Sequence, residues 1–277
     1  MLRYFFFSLF VQLSTGLLFT SLFISLAEIG KFYFRLTTMV ALILLTLGLL
    51  SNPFNHINYL NLVNLGDGLL ATTEKLTYIF CVLSGLSIVV YNLIHPRLHK
   101  PLLASAAMMG LLGISAYAFS SSQSQQFSTS EAAILVSNGI ASALMLGSVL
   151  GAMITGHWYL VQNKLSMSPL KNSSIIYILS VLLRIGLVSF SLFYYWNAGL
   201  ANIDFSFLKS INFHSLIFYG RFAIGLVIPL ILGIMVWNTA KIRSTQSATG
   251  ILYATTILVL IGETFAKFLY FSTGIPF

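Results

Sequence analysis

Charge is what this sequence has least of. Lysine, arginine, aspartate and glutamate make up 7% of its 277 residues, where a soluble domain carries about 25%. A chain so poor in charge cannot cover itself with a hydrated surface, so its outer face must meet lipid. Cysteine is nearly absent as well. Cys81 stands alone in an apolar run, which excludes a disulfide framework, a CxxC redox pair and any cysteine-ligated iron–sulfur cluster. Acidic residues number six against fourteen basic ones. The basic residues form no patch and sit in ones and twos between apolar stretches, as orientation signals do, so no nucleic-acid partner is expected. Of the six prolines, only Pro229 interrupts the interior of an apolar stretch; the paired broken helices of many secondary transporters are not evident. Also missing is the short polar–apolar alternation of barrel strands.

What the chain has is long apolar runs. Eight spans are predicted, at 5–29, 36–51, 76–95, 101–119, 132–160, 174–196, 215–238 and 249–271, near the ~20 residues needed to cross a hydrocarbon core. The expected fold is therefore an all-α integral membrane protein, one transmembrane helical domain over 1–277 built as a bundle of about eight helices. The first run, from Arg3 to Ser25-Leu26-Ala27, also fits a signal peptide. Its length, and Lys31 and Arg35 following as a stop signal, favour a span. Odd connectors hold Lys31, Arg35, Arg97, Lys100, Lys164, Lys171, Lys241 and Arg243, whereas the termini and even connectors hold Arg3, Lys75 and Lys209. The positive-inside rule then puts the odd connectors in the cytoplasm and both termini outside. Trp158 and Trp237 fall at the inner interface and Trp196 at the outer one, as an aromatic belt requires.

Charges inside a bilayer cost at least ~2.5–3.5 kcal/mol each, so each asks for a partner or a task. Arg184, Arg221, Glu263 and Lys267 fall within spans six, seven and eight. Glu263 and Lys267 are one helical turn apart in the favourable acid-first order. They read either as a structural ion pair or, with Arg221, as a polar pocket that holds a headgroup or relays protons. His56 and His214 lie on the outer side but neither is well inside a span, so no haem is expected in this chain. His157 reads as an interfacial anchor beside Trp158, and Glu74 as an acid in a helix's first turn. Gly139, Ala143, Gly147 and Gly151, spaced by four, read as a close-packing seam. No metal site is expected.

Three segments carry a family resemblance. Gln12-Leu13-Ser14-Thr15-Gly16 is similar to a Gln-x-x-x-Gly early in a first span. His56 followed by Glu74 resembles a His-loop-Glu arrangement, and Gly262-Glu263-Thr264-Phe265-Ala266-Lys267-Phe268-Leu269-Tyr270-Phe271 resembles a Gly-Glu-x-x-x-Arg-x-x-Phe-Tyr ending. Together with eight spans and external termini, these resemble the membrane-anchor subunits of the dimethyl sulfoxide reductase and polysulfide reductase type. The sequence departs from that pattern at Asn55-His56-Ile57-Asn58, where a Ser-x-x-His-Leu-Gly-x-Pro stretch would stand, and at Lys267 in place of arginine. The resemblance implies a subunit, not a complete enzyme, that exchanges electrons between the quinone pool and an iron–sulfur partner in the bacterial cytoplasmic membrane. A catalytic subunit would complete the complex, quinone or quinol would be the bound substrate, and Gln12, His56, Glu74, Glu263 and Lys267 are the expected quinone-binding or proton-relay residues. The alternatives are an accessory or scaffold subunit without its own quinone site, and a transporter of small solutes or ions.

Overall fold

Long apolar runs with no water to satisfy their backbone must close their hydrogen bonds internally, and a helix does so within one segment. The computed structural model describes residues 2–51, 69–93, 96–124, 127–162, 165–197 and 212–277, and among them every regular element is helical. The helices are α1 (Leu2–Ser21), α2 (Leu26–Ile29), α3 (Lys31–Leu50), α4 (Leu69–Leu93), α5 (Pro96–Ser124), α6 (Thr129–Val161), α7 (Ser168–Asn197), α8 (Phe213–Phe222), α9 (Ile228–Lys241) and α10 (Thr245–Thr273). A π turn, Ala223–Val227, joins α8 to α9. Eight stretches are long and apolar enough to cross a membrane, with α8, the π turn and α9 forming one of them. Large apolar side chains point outward along them, among them Leu50 (78% exposed), Val82 (67%) and Phe193 (67%). That surface suits lipid and not water. The chain is an all-α membrane protein.

The first span is shorter than its apolar run. It ends at Ser21 and not near residue 29. Leu22, Phe23 and Ile24 bond back three residues each, to Phe19, Thr20 and Ser21, which tightens the last turn; the short α2 then starts after Ser25. The Ser21 hydroxyl donates to the Leu18 carbonyl, taking an acceptor at the helix end. Hydropathy does not register such a break, because Leu22–Ile24 are as apolar as the helix before them.

The chain divides into two compact units, 1–147 and 148–277, with the boundary inside α6. In the first, α1 packs on α3 and α5, and α4 packs on α3 and α5. Every residue from Val11 to Leu18 is buried, as expected for a helix enclosed on all sides. Gly16 is the point of closest approach. A Cβ there would overlap the backbone of Ala143, and a Cβ on Gly147 would overlap that of Gly16 and Leu17. The small residues spaced by four on α6 thus form a seam, as their spacing predicts. Ser128 and Glu131 open α6 with reciprocal bonds: Glu131 Oε2 accepts from the Ser128 N–H at 2.7 Å and its hydroxyl at 2.8 Å, and Ser128 Oγ accepts from the Glu131 N–H at 3.4 Å.

In the second unit, α10 packs on α8, the π turn and α9, and α7 packs on α9. Ala152, Tyr159, Leu170, Val236, Ala248 and Leu252 belong to one apolar core near the ends of α6 and α9 and the start of α10. Pro229 accounts for the π turn. It has no N–H to donate and its ring crowds the carbonyl four residues back. The chain responds by widening one turn, with the Ile228 N–H bonding to the Ala223 carbonyl five residues earlier. The hydroxyl of Tyr177 on α7 donates to the Pro229 carbonyl at 2.8 Å, taking up an acceptor near the distortion.

Candidate functional site

Among the described residues, each unit holds a group of buried polar side chains that includes residues singled out from the sequence. In the first unit the group centres on Gln12. Its side chain is buried, its Nε2 donates to the Gly139 carbonyl at 3.4 Å, and its Oε1 accepts from the Ser142 hydroxyl at 3.1 Å. An amide in an α-helical span needs such partners, because an unpaired polar group in an apolar surround is costly. Gln12 also lines a cleft with Phe7, Val11, Thr77, Ile114 and Tyr117. The cavity volume is about 10 Å³, room for one water molecule. Phe7 and Tyr117 meet edge to face, 5.8 Å between ring centroids. Glu74 is buried on α4, three residues before Thr77 and so on the same side of that helix.

In the second unit the group centres on Glu263. Arg184 of α7 reaches it through Nε, 3.1 Å from Oε1, and through Nη2, 3.4 Å from Oε2. Arg221, in the last turn of α8, donates from Nη2 to Oε1 at 2.8 Å. One carboxylate therefore joins three helices. Arg221 and Glu263 are 0% exposed. Arg184 Nη2 also donates to the main-chain oxygen of Phe277 at 2.7 Å. That oxygen comes within reach because Gly274, in the left-handed conformation with φ of 76°, turns the chain after α10. Ile275 and Phe277 are buried, and Phe277 packs against Phe218. Lys267, one turn past Glu263, is half-buried and lies within electrostatic reach of Glu263, Arg184 and Arg221.

The π turn shapes this second group. It brings Gly225 against Gly262 of α10, where a Cβ on Gly225 would lie 2.7 Å from the Gly262 Cα. The same Cβ would lie 2.8 Å from Nη1 of Arg221. Two bare glycines and a widened turn thus leave room for a guanidinium between two closely packed helices.

The residues singled out from the sequence fall as follows. Gln12 and Glu74 belong to the first unit; Glu263, Lys267, Arg184 and Arg221 belong to the second. His56 lies outside the described residues. The four charges of spans six to eight come together, with Arg184 taking a place beside Glu263 that the sequence reading had left to Lys267 and Arg221. His214 is exposed and lies against the rings of Phe213 and Phe268. His157 Nδ1 and the Tyr253 hydroxyl are hydrogen-bonded at 2.8 Å, both side chains exposed. Sequence reasoning missed Ser142, Thr77, Tyr117 and the Phe277 oxygen. Ser142 stands next to the small-residue seam of α6, which was its available signal; the others depend on packing.

The chain matches no family model, no curated protein and no solved structure. Fold and geometry define its class: an eight-span helical membrane protein with a polar-tipped apolar cleft in one unit and a buried charge cluster in the other.

Proposed function

We propose that this chain is a quinone-interacting membrane anchor of the dimethyl sulfoxide reductase and polysulfide reductase type. It would pass electrons between the quinone pool and an iron–sulfur partner subunit in a bacterial cytoplasmic membrane, with a catalytic subunit completing the complex. The observation that carries this reading is the Gln12 cleft. A quinone needs an apolar slot, a polar group to fix a carbonyl oxygen, and an acid or base to move protons. The Gln12 amide and the Thr77 hydroxyl supply the polar end, Phe7, Val11, Ile114 and Tyr117 supply the walls, and Glu74 is buried within one turn of Thr77. A quinone ring is larger than the cavity, so on this reading its entry parts the Phe7–Tyr117 contact.

Glu263 is a weaker candidate for the proton step, because both its oxygens already accept guanidinium hydrogen bonds. That arrangement favours a second reading, a scaffold subunit whose buried charges only hold helices together. The two are separated by titrating purified protein with a short-tailed quinone analogue and following displacement by a competitor. Gln12→Leu is expected to weaken binding by about tenfold, the worth of one good hydrogen bond. Glu74→Gln should leave binding largely intact and slow quinol-linked electron transfer in membranes that hold the complex. Binding that is absent, or unaltered in Gln12→Leu, would leave the scaffold reading.

A further inference from the structure

Arg221 has more hydrogen-bond donors than the described chain fills. Its Nη2 donates to Glu263, whereas Nε and Nη1 meet no acceptor, although the whole side chain is buried. A guanidinium carries five N–H donors in a rigid plane, so the one on Nε and the two on Nη1 are unclaimed. Charge points the same way. Among the described residues of this unit Glu263 is the only acidic side chain, and it faces Arg184, Arg221 and Lys267. Three cationic side chains thus face one carboxylate side chain, in surroundings that penalise charge. Gly225 and Gly262 keep side-chain atoms away from Nη1, since a Cβ on either would lie 2.8 Å or 3.3 Å from it.

From this geometry we infer that the cluster binds a phosphate-type oxyanion, with Arg221 as its principal donor and Lys267 within electrostatic reach. A tetrahedral oxyanion presents acceptors in several directions, which suits donors on different edges of one guanidinium plane. Its negative charge complements these cations, and the same group is carried by free phosphate and by the headgroups of anionic lipids. Nothing in this inference depends on quinone binding in the other unit.

The test uses the full chain, purified in neutral detergent, and reads its thermal midpoint. One arm compares inorganic phosphate with chloride at equal ionic strength. The other compares phosphatidic acid with phosphatidylcholine. A saturating ligand is expected to raise the midpoint by about 5 °C. A rise with inorganic phosphate assigns the free anion, and a rise with phosphatidic acid alone assigns the headgroup. Arg221→Lys keeps the charge and loses the planar donors, and should cut the apparent affinity at least tenfold. No rise in either arm, or an unaltered affinity in Arg221→Lys, overturns the proposal. Should that variant fail to fold, bound phosphorus is counted on the wild-type chain after loading and detergent exchange. About one phosphorus per chain, displaced by excess sulfate but not by chloride, supports the site; none retained overturns it.

Discussion

Glu263 carries more of the second unit's cohesion than its position on one helix suggests. Three helices meet through its carboxylate, and the two guanidinium groups that hold it are almost wholly buried. A buried ion pair is not stabilising in itself, because desolvation offsets most of the attraction. Breaking one is another matter, since removing a partner leaves an uncompensated charge at about 3–5 kcal/mol. Glu263→Gln is therefore expected to lower the midpoint of heat-induced loss of monodisperse protein by well over 5 °C. Lys267→Met should cost much less, because Lys267 is less deeply buried than the arginines and its loss leaves both of them paired. Adding Lys267→Met to Glu263→Gln should not rescue stability, whereas adding Arg184→Met and Arg221→Met should recover most of it. Rescue by the lysine change alone would show that the governing pair is the one within α10. The one-turn spacing of Glu263 and Lys267 could be read from sequence; the arrival of Arg184 and Arg221 from two other helices could not.

At the scale of elements, glycine separates two situations that look identical in the sequence. Gly147 and Gly186 both lie in helix interiors, yet a Cβ at Gly147 would overlap the α1 backbone and one at Gly186 would meet nothing within 4 Å. The same substitution to alanine should have opposite signs. At Gly186 it removes backbone freedom from the unfolded chain and is expected to stabilise by about 0.5–1 kcal/mol. At Gly147 it forces α1 and α6 apart, and overpacking of this kind costs about 1–3 kcal/mol or more. Thermal midpoints of the two variants, measured side by side, check this; a neutral Gly147→Ala would mean that α1 and α6 are not in close contact. The seam was legible in part. Spacing by four on α6 marks a packing face, but it does not say that Gly16 of α1 is the partner. The break after Ser21 and the π turn before Pro229 were illegible for a common reason. Both are set by where individual carbonyls find donors, which apolar length does not encode.

For the whole molecule, the eight spans were legible because the bilayer imposes them: each run must be long enough to cross and must satisfy its own backbone. Direction across the membrane is a separate matter, carried by the short connectors. Eight basic residues fall in the odd connectors or in the helix ends beside them, and three in or beside the even connectors and termini. Positive charge in short loops resists transfer to the outer side, and this bias orients polytopic proteins. Local geometry at one odd connector agrees with an interfacial setting. Lys241 lies 3.2 Å from the centre of the Trp237 ring, and Arg243 is exposed in the tight turn between α9 and α10. An ammonium against an aromatic face at a span end belongs to the headgroup region. Reporter fusions test the direction. A periplasm-active reporter placed after Phe277, or in the 125–128 connector, is expected to score as extracytoplasmic. The same reporter between Val161 and Ser168 is expected to be silent there, while a cytoplasm-active one is bright. Because successive spans alternate, one contrary result from the 162–167 position would invert every connector. It would also move the end of α10, and Lys267 with it, to the cytoplasmic leaflet. The lipid arm of the phosphate experiment would then have to be repeated with that leaflet's lipids.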